Sequence, residues 1–144
     1  MKLSPPTILH LLPNEIFTFG SNESGIHGAG AARMAHKRFG AVWGTGVGPT
    51  GQCYAIPTKD ARIDPLPLAT IEGYVTKFLA YAQSHPNQTF LVTAIGCGLA
   101  GYSPQDIAPM FFPKGQTLYN VLLPQVFVDA MELKTPPDQI PSGP

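Results

Sequence analysis

The chain has 144 residues, which is enough for one domain with a substantial apolar core and too few for two comfortable ones. Nine lysine and arginine residues balance nine aspartate and glutamate residues, which argues against nucleic acid as the main partner, since that partner needs a basic footprint. Hydrophobic residues make up 44% of the chain and charged residues 12%, a balance that favours a small-molecule pocket or a subunit contact.

No targeting signal is visible at the start of the chain. Residues 1–12 contain one lysine and two prolines, and their apolar cluster, 8–12, is too short for the core of a secretory signal peptide. No run is long enough to span a membrane. We therefore expect a cytoplasmic protein without a membrane partner. The cluster at 8–12 predicts a short edge strand, followed by a turn at Pro13 and Asn14.

The first half of the chain then predicts two strands around a helix. An apolar run ends at Gly20, as a strand does before a turn. Helical spacing follows, and Gly40 supplies the C-terminal stop of that helix. Pro57 is expected to end the second strand. In chain order, the elements are a strand at 16–19, a helix at 29–39, a loop at 44–51 and a strand at 53–56.

The second half continues the alternation of helix and strand. Ser103, Pro104 and Asp106 form a helix start, with a cap, a proline at the first position and an acid near the dipole. The elements are a polar connection at 58–67, a helix at 68–82, a strand at 90–94, a short helix after 103 and a strand at 120–123. We expect one domain over 1–134 and a flexible, proline-rich tail over 135–144. The alternation predicts an α/β layered fold with a mixed or parallel sheet, whose ligands bind at the carboxyl ends of the strands.

Two glycine-rich turns lie at such strand ends, and each leads into a predicted helix. We call residues 20–30 the first glycine turn and residues 96–101 the second. A turn of this kind presents bare backbone N–H groups at the positive end of a helix dipole, which favours phosphate. Two of them in one small domain predict a site for two phosphates or for one diphosphate held from both sides. The alternative is that the glycines only make tight turns.

Side chains with chemical potential are few. Cys53 and Cys97 form neither a disulfide framework nor a zinc site, so we interpret them as reduced core thiols and predict no metal and no cofactor. His27, inside the first glycine turn, is either a phosphate contact or a solvated loop residue, and the solvated interpretation is the one we prefer.

Four stretches of the chain together resemble a macrodomain. The resemblance covers residues 16–127. Over this range the chain is similar to uncharacterised phage and bacterial macrodomain-like proteins. Among characterised relatives, it is similar to the terminal ADP-ribose protein glycohydrolase branch. The most specific piece of the resemblance is the second glycine turn. The stretches are Gly20-Ser21-Asn22, Gly28-Ala29-Gly30-Ala31-Ala32, Tyr54-Ala55-Ile56-Pro57-Thr58-Lys59-Asp60 and Ile95-Gly96-Cys97-Gly98-Leu99-Ala100-Gly101-Tyr102.

The resemblance implies a three-layer α/β/α fold with a mixed, mostly parallel sheet. It also implies that ADP-ribose, or a related nucleotide diphosphate, binds in a cleft between the two turns. Asn22 would lie near the distal ribose, and Tyr102 would border the distal ribose or a phosphate. The implied ligand-binding residues are Gly20, Ser21, Asn22, His27, Gly28, Ala29, Gly30, Ile95, Gly96, Cys97, Gly98, Leu99, Ala100, Gly101 and Tyr102.

Lys59 carries the alternative function that the resemblance implies, an ADP-ribosyl glycohydrolase. In that branch a lysine at the corresponding strand end attacks C1 of the distal ribose, and an aspartate in the second turn assists. Here Ala100 stands at the position of that aspartate, so Asp60 or Glu23 would have to replace it. Lys59 is otherwise a loop cation or a partner of Asp60. No upstream aspartate is present to recognise adenine, which leaves the base open.

The sequence therefore predicts nucleotide binding first and hydrolysis by Lys59 second. A third alternative is an interaction module whose cleft has lost its ligand. The sequence leaves the oligomeric state open.

Overall fold

The computed structural model of the protein describes residues 3–134, with side chains as far as residue 132. In this part of the chain, five strands form one sheet with the order β2-β3-β1-β4-β5. The β2–β3 pair is antiparallel, and all other pairs are parallel. The strands are β1 (Glu15–Asn22), β2 (Gly48–Thr50), β3 (Cys53–Lys59), β4 (Thr89–Val92) and β5 (Val121–Leu122). The tail predicted at 135–144 lies outside the described residues.

Helices cover both faces of this sheet. They are α1 (Gly30–Phe39), α2 (Leu68–Gln83), the single turn α3 (Pro104–Ile107) and α4 (Gln125–Lys134), with 3-10 turns at Ala108–Phe111 and Pro113–Gly115. Alternate residues of β1 point to opposite faces, as the pleat requires. Phe17 and Phe19 pack in the core under α1, whereas Ile16 packs in the core under the other helices. The fold is a three-layer α/β/α arrangement with a mostly parallel sheet, as predicted.

The longest helix, α2, follows directly from its apolar spacing. Ile71, Val75, Phe78 and Ala82 recur at intervals of three or four residues, and all four are fully buried. Burial of each large aliphatic or aromatic side chain of this kind contributes about 1.5–3 kcal/mol. The predicted helix at 68–82 is therefore confirmed, and so are the helix at 29–39 and the positions of the strands β1, β4 and β5 in the chain. Two strand ends differ from the prediction, because β1 continues past Gly20 to Asn22 and β4 ends at Val92.

Four further details of the predicted elements are wrong. Residues 8–12 form no strand, and the N-terminal segment instead bridges Leu3 to Leu123. The loop predicted at 44–51 contains the edge strand β2. Strand β3 continues through Pro57, because its pairing with β2 ends at Ala55 and proline is tolerated where one side of a strand has no partner. Helix α4 was not predicted, although Phe127 and its neighbours one turn away bury an apolar face.

Candidate functional site: a cleft between two glycine turns

A cavity of about 460 Å³ lies where the carboxyl ends of β1, β3 and β4 meet. The two glycine turns form its opposite walls, so we refer to it as the cleft. Most of the residues predicted to bind a ligand line it, together with Lys59. They are Gly20, Ser21, Asn22, Gly28, Ala29, Gly30, Ile95, Gly96, Cys97, Gly98, Leu99 and Ala100.

Asn22 shapes the first wall through its own side chain. Its Nδ2 donates to the carbonyl of Ile26 at 2.8 Å, and the Ile26 N–H donates back to Oδ1 at 2.9 Å. The Ser24 hydroxyl donates to the same oxygen at 2.9 Å. Asn22 lines the cleft as predicted, but most of its hydrogen-bonding capacity is used to hold the first glycine turn in place.

The first wall is packed backbone against backbone. The Ser21 hydroxyl donates to the carbonyl of Gly46, in the loop behind the wall. A Cβ atom added to Gly46 would lie 2.0 Å from the Asn22 carbonyl oxygen, so only glycine fits there. The loop before β2 therefore sets the position of the first glycine turn, although it does not line the cleft.

Helix α1 begins in the cleft and has no side-chain cap. Ala29 occupies the N-cap position without a side-chain hydrogen bond, and the first turn contains no acidic residue. Gly28, Ala29, Gly30 and Ala31 all line the cleft. The first N–H groups of a helix have no partner inside the helix, and they carry the positive end of its dipole. This end of α1 therefore favours an anion in the cleft.

The second wall contributes further backbone donors. Gly96, with φ of 80°, starts the turn, and its carbonyl accepts the N–H of Tyr102 at 2.9 Å. The N–H groups of Gly98, Leu99 and Ala100 have no hydrogen-bond partner among the described residues. Consecutive free N–H groups of this kind form a concave site for an anion.

Among the described residues, Lys59 is the charged residue that lines the cleft, and no carboxylate lines it. The carboxylates predicted as candidates are engaged elsewhere. Asp60 accepts the backbone N–H groups of Arg62 and Asp64 at 2.8 and 3.0 Å, and it does not line the cleft. Glu23 accepts the hydroxyl of Tyr74, a bond that raises the pKa of that phenol. The cleft consequently has positive character.

The prediction that His27 is a solvated loop residue is wrong. His27 is 1% exposed and lies behind the first glycine turn, outside the cleft lining. Its Nε2 lies 2.9 Å from the Val42 carbonyl oxygen, while Nδ1 has no hydrogen-bond partner within the described part of the chain. The ring is surrounded by Phe19, His36 and Trp43. Because its ring is packed among aromatic side chains behind the turn, His27 is not in a position to contact a phosphate in the cleft.

Gly101 and Tyr102 also lie outside the cleft lining. The Tyr102 hydroxyl donates to the Leu66 carbonyl, which ties the end of the second glycine turn to the segment before α2. Tyr102 therefore supports the wall rather than bordering the cavity.

Both cysteines are free thiols, but their surroundings differ. Cys53 is buried in the core as predicted, whereas Cys97 is half-buried and lines the cleft. Burial, with a smaller contribution from the negative charge of Asp106, raises the pKa of the Cys97 thiol to about 11. The thiol is protonated at neutral pH, which makes it a poor nucleophile.

Several lining residues were missed by sequence reasoning. Thr58 and Thr93 contribute polar side chains, and Ile26, Ile63 and the predicted residue Leu99 are exposed aliphatic residues at the cleft. Thr58 directly precedes Lys59 and follows from the same strand end. The sequence gives no indication of Ile63 as a cleft residue, because isoleucine rarely adopts the left-handed backbone, φ of 67°, that it has here.

The described residues contain no candidate metal site and no candidate membrane span. No group of three or more histidine, cysteine, aspartate or glutamate side chains there could hold a metal ion. No helix in residues 3–134 has both the length and the apolar character needed to cross a membrane.

Comparison with known proteins supports the fold and identifies no family. No family model matches the chain, and no curated protein matches it. A solved structure of a protein of unknown function from Bacteroides thetaiotaomicron is similar, with a TM-score of 0.54 and 14% sequence identity over 81% of this chain and 90% of that chain. The macrodomain resemblance stays a prediction.

Proposed function

We propose that the cleft binds a nucleotide diphosphate of the ADP-ribose class. The observation that carries this proposal is the convergence of backbone donors from both walls on one cavity. The uncapped start of α1 lines the same cavity as Gly98, Leu99 and Ala100, whose N–H groups are free among the described residues, and Lys59 adds a positive charge. A diphosphate would be held from both sides by groups that all prefer negative charge.

The space around the cleft suits a nucleotide. Its volume of about 460 Å³ is within the usual range of roughly 300–1,000 Å³ for small-molecule sites. A second cavity of about 450 Å³ adjoins it and shares Gly30, Ala31, Thr93 and Ala94 with it. Met34, Val126 and other apolar side chains line this second cavity, which gives a base an apolar surface. No carboxylate of the described part of the chain lines it, so the base stays unassigned.

Binding is favoured over hydrolysis by the distribution of charges. The glycohydrolase alternative needs an acid near the ribose, and the described residues that line the cleft include Lys59 and no carboxylate. Incubation of the full chain with ADP-ribosylated protein and nucleic acid tests this point. We expect no release of ADP-ribose. Release that Lys59→Ala abolishes while binding persists would make hydrolysis the function instead.

Calorimetry with the full chain tests the binding proposal itself. We expect saturable heat with ADP-ribose. No heat at high concentrations of ADP-ribose and its nucleotide relatives would leave the interaction module as the better proposal.

A matched pair of variants separates anion binding from packing. Gly98 has a backbone conformation open to other residues, and an added Cβ would meet nothing within 4 Å. Gly98→Asp and Gly98→Asn should therefore fold alike and differ only in charge. We expect the aspartate variant to lose most of the affinity for ADP-ribose, because its carboxylate repels a diphosphate. Equal affinities for both variants would contradict an anion site in the second wall.

A further inference from the structure

The turn that follows Lys59 is held by several internal hydrogen bonds. The Asp60 N–H donates to the Asp64 carbonyl at 2.8 Å, and the Ile63 N–H donates to the Asp60 carbonyl at 3.0 Å. The Asp60 carboxylate closes the same turn by accepting two further N–H groups. A bridge between Lys59 and Pro65 joins its two ends. The turn is therefore a rigid arm at the edge of the cleft.

Ile63 is held on this arm in a conformation that isoleucine rarely adopts. Its φ of 67° lies in the left-handed region, which is disfavoured for β-branched residues. Core packing does not compensate for this strain, because the side chain is 42% exposed and lies at the cleft. Strain of this kind concentrates at ligand-binding positions.

The sheet order places Ile63 at one end of the cleft. Strand β3, which leads to Lys59 and Ile63, lies on one side of β1, and β4, which leads to the second glycine turn, lies on the other side. The second cavity adjoins the cleft through Thr93 and Ala94 after β4 and through Gly30 and Ala31 of α1, and neither Lys59 nor Ile63 lines it. A diphosphate held between the walls would direct its outer substituent towards Lys59 and Ile63.

We propose that Ile63 is a specificity-determining residue that packs on the carbon face of a sugar attached to the outer phosphate. This inference rests on the proposed function and deepens it. The ring carbons of a sugar offer an apolar face, which suits an exposed aliphatic side chain. Lys59, at the other end of the same arm, offers its ammonium group to the phosphate and hydroxyl oxygens. The arm thus distinguishes a sugar diphosphate from a diphosphate that ends at the phosphate.

Affinities of Ile63→Asn for ADP-ribose and for ADP, set beside those of the wild type, test the inference. Asparagine tolerates the left-handed region, so the melting temperature should not fall. We expect the Kd for ADP-ribose to rise about tenfold and the Kd for ADP to change less than about twofold, because only the sugar contact is lost. Lys114→Asn is the matched control, since Lys114 has φ of 55° and does not line the cleft. It should change neither Kd.

Three other outcomes are informative, and each contradicts a different claim about Ile63 or the cleft. An unchanged Kd for ADP-ribose, or an equal rise in the Kd values for ADP-ribose and ADP, would show that Ile63 does not contact the sugar. A lower melting temperature of Ile63→Asn would contradict the conformational reasoning. Failure of the wild type to bind ADP-ribose would instead refute the proposed function, which distinguishes the two proposals.

Discussion

Replacing Lys59 with glutamine tests the electrostatics of the cleft. The change Lys59→Gln removes one positive charge and keeps most of the side-chain length. Lys59 is half-buried among apolar residues and backbone, so salt screens its interaction with a bound anion less than at an open surface. The change leaves no carboxylate unpaired among the described residues that line the cleft. The difference in binding free energy between the wild type and the variant therefore reports the lost interaction between Lys59 and the ligand.

The expected magnitude follows from the kind of contact that is lost. A hydrogen bond to a charged group contributes about 1.5–3 kcal/mol, which corresponds to an increase in Kd of about 10- to 150-fold. Calorimetry with ADP-ribose measures it, at low and at high salt. The affinity of the wild type should fall as salt rises, and the affinity of the variant should fall less steeply.

The control for this experiment is Lys77→Gln. Lys77 is exposed on α2 and does not line the cleft, so the same loss of charge should leave Kd within about twofold. If Lys59→Gln and Lys77→Gln weaken binding equally, the effect is one of net charge. If neither weakens binding while the wild type binds, Lys59 does not contact the anion and the reasoning is refuted.

Further predictions concern stability. Gly46→Ala should lower the free energy of unfolding by about 1–3 kcal/mol in urea denaturation and weaken ADP-ribose binding, because the new Cβ would collide with the Asn22 carbonyl; unchanged stability would contradict the packing of the first wall. Gly73→Ala, in α2 with open space around it, should raise stability by about 0.5–1 kcal/mol and leave binding alone, and a loss would contradict the helix register. Burial raises the pKa of Cys53 from 9.0 to about 12 and that of Cys97 to about 11, so the unfolded chain loses its thiol protons first and stability should fall as pH rises from 9 to 11. The fall should be smaller in a variant with alanine at both cysteines, and an identical pH profile would contradict this cause.

The elements with strong periodicity were predictable from the sequence. Ile71, Val75 and Phe78 set the face of α2 without any tertiary information, and the capping sequence at Ser103 marks the start of α3. The edge strand β2 was not predictable, because glycine and proline read as a loop and only pairing with β3 makes them a strand.

Within the site, glycine positions were more informative than polar side chains. Both walls lie where the glycine turns predicted them, because backbone conformation is encoded locally. The surroundings of His27 were not predictable, since Trp43 reaches it from another part of the chain. The partner of Tyr102, the Leu66 carbonyl, likewise comes close only in the folded structure. The bond from the Arg62 N–H to the Asp60 carboxylate forms only when that turn closes.

The alanine at the start of α1 has a consequence for the free protein. A serine or aspartate at the N-cap position would stabilise a helix by about 1 kcal/mol, and Ala29 forgoes that gain. Such a side chain would also occupy the N–H groups that a phosphate needs, and would act as an internal competitor of the ligand. The chain is thus less stable alone than its fold permits, and a bound anion would complete the helix end from outside.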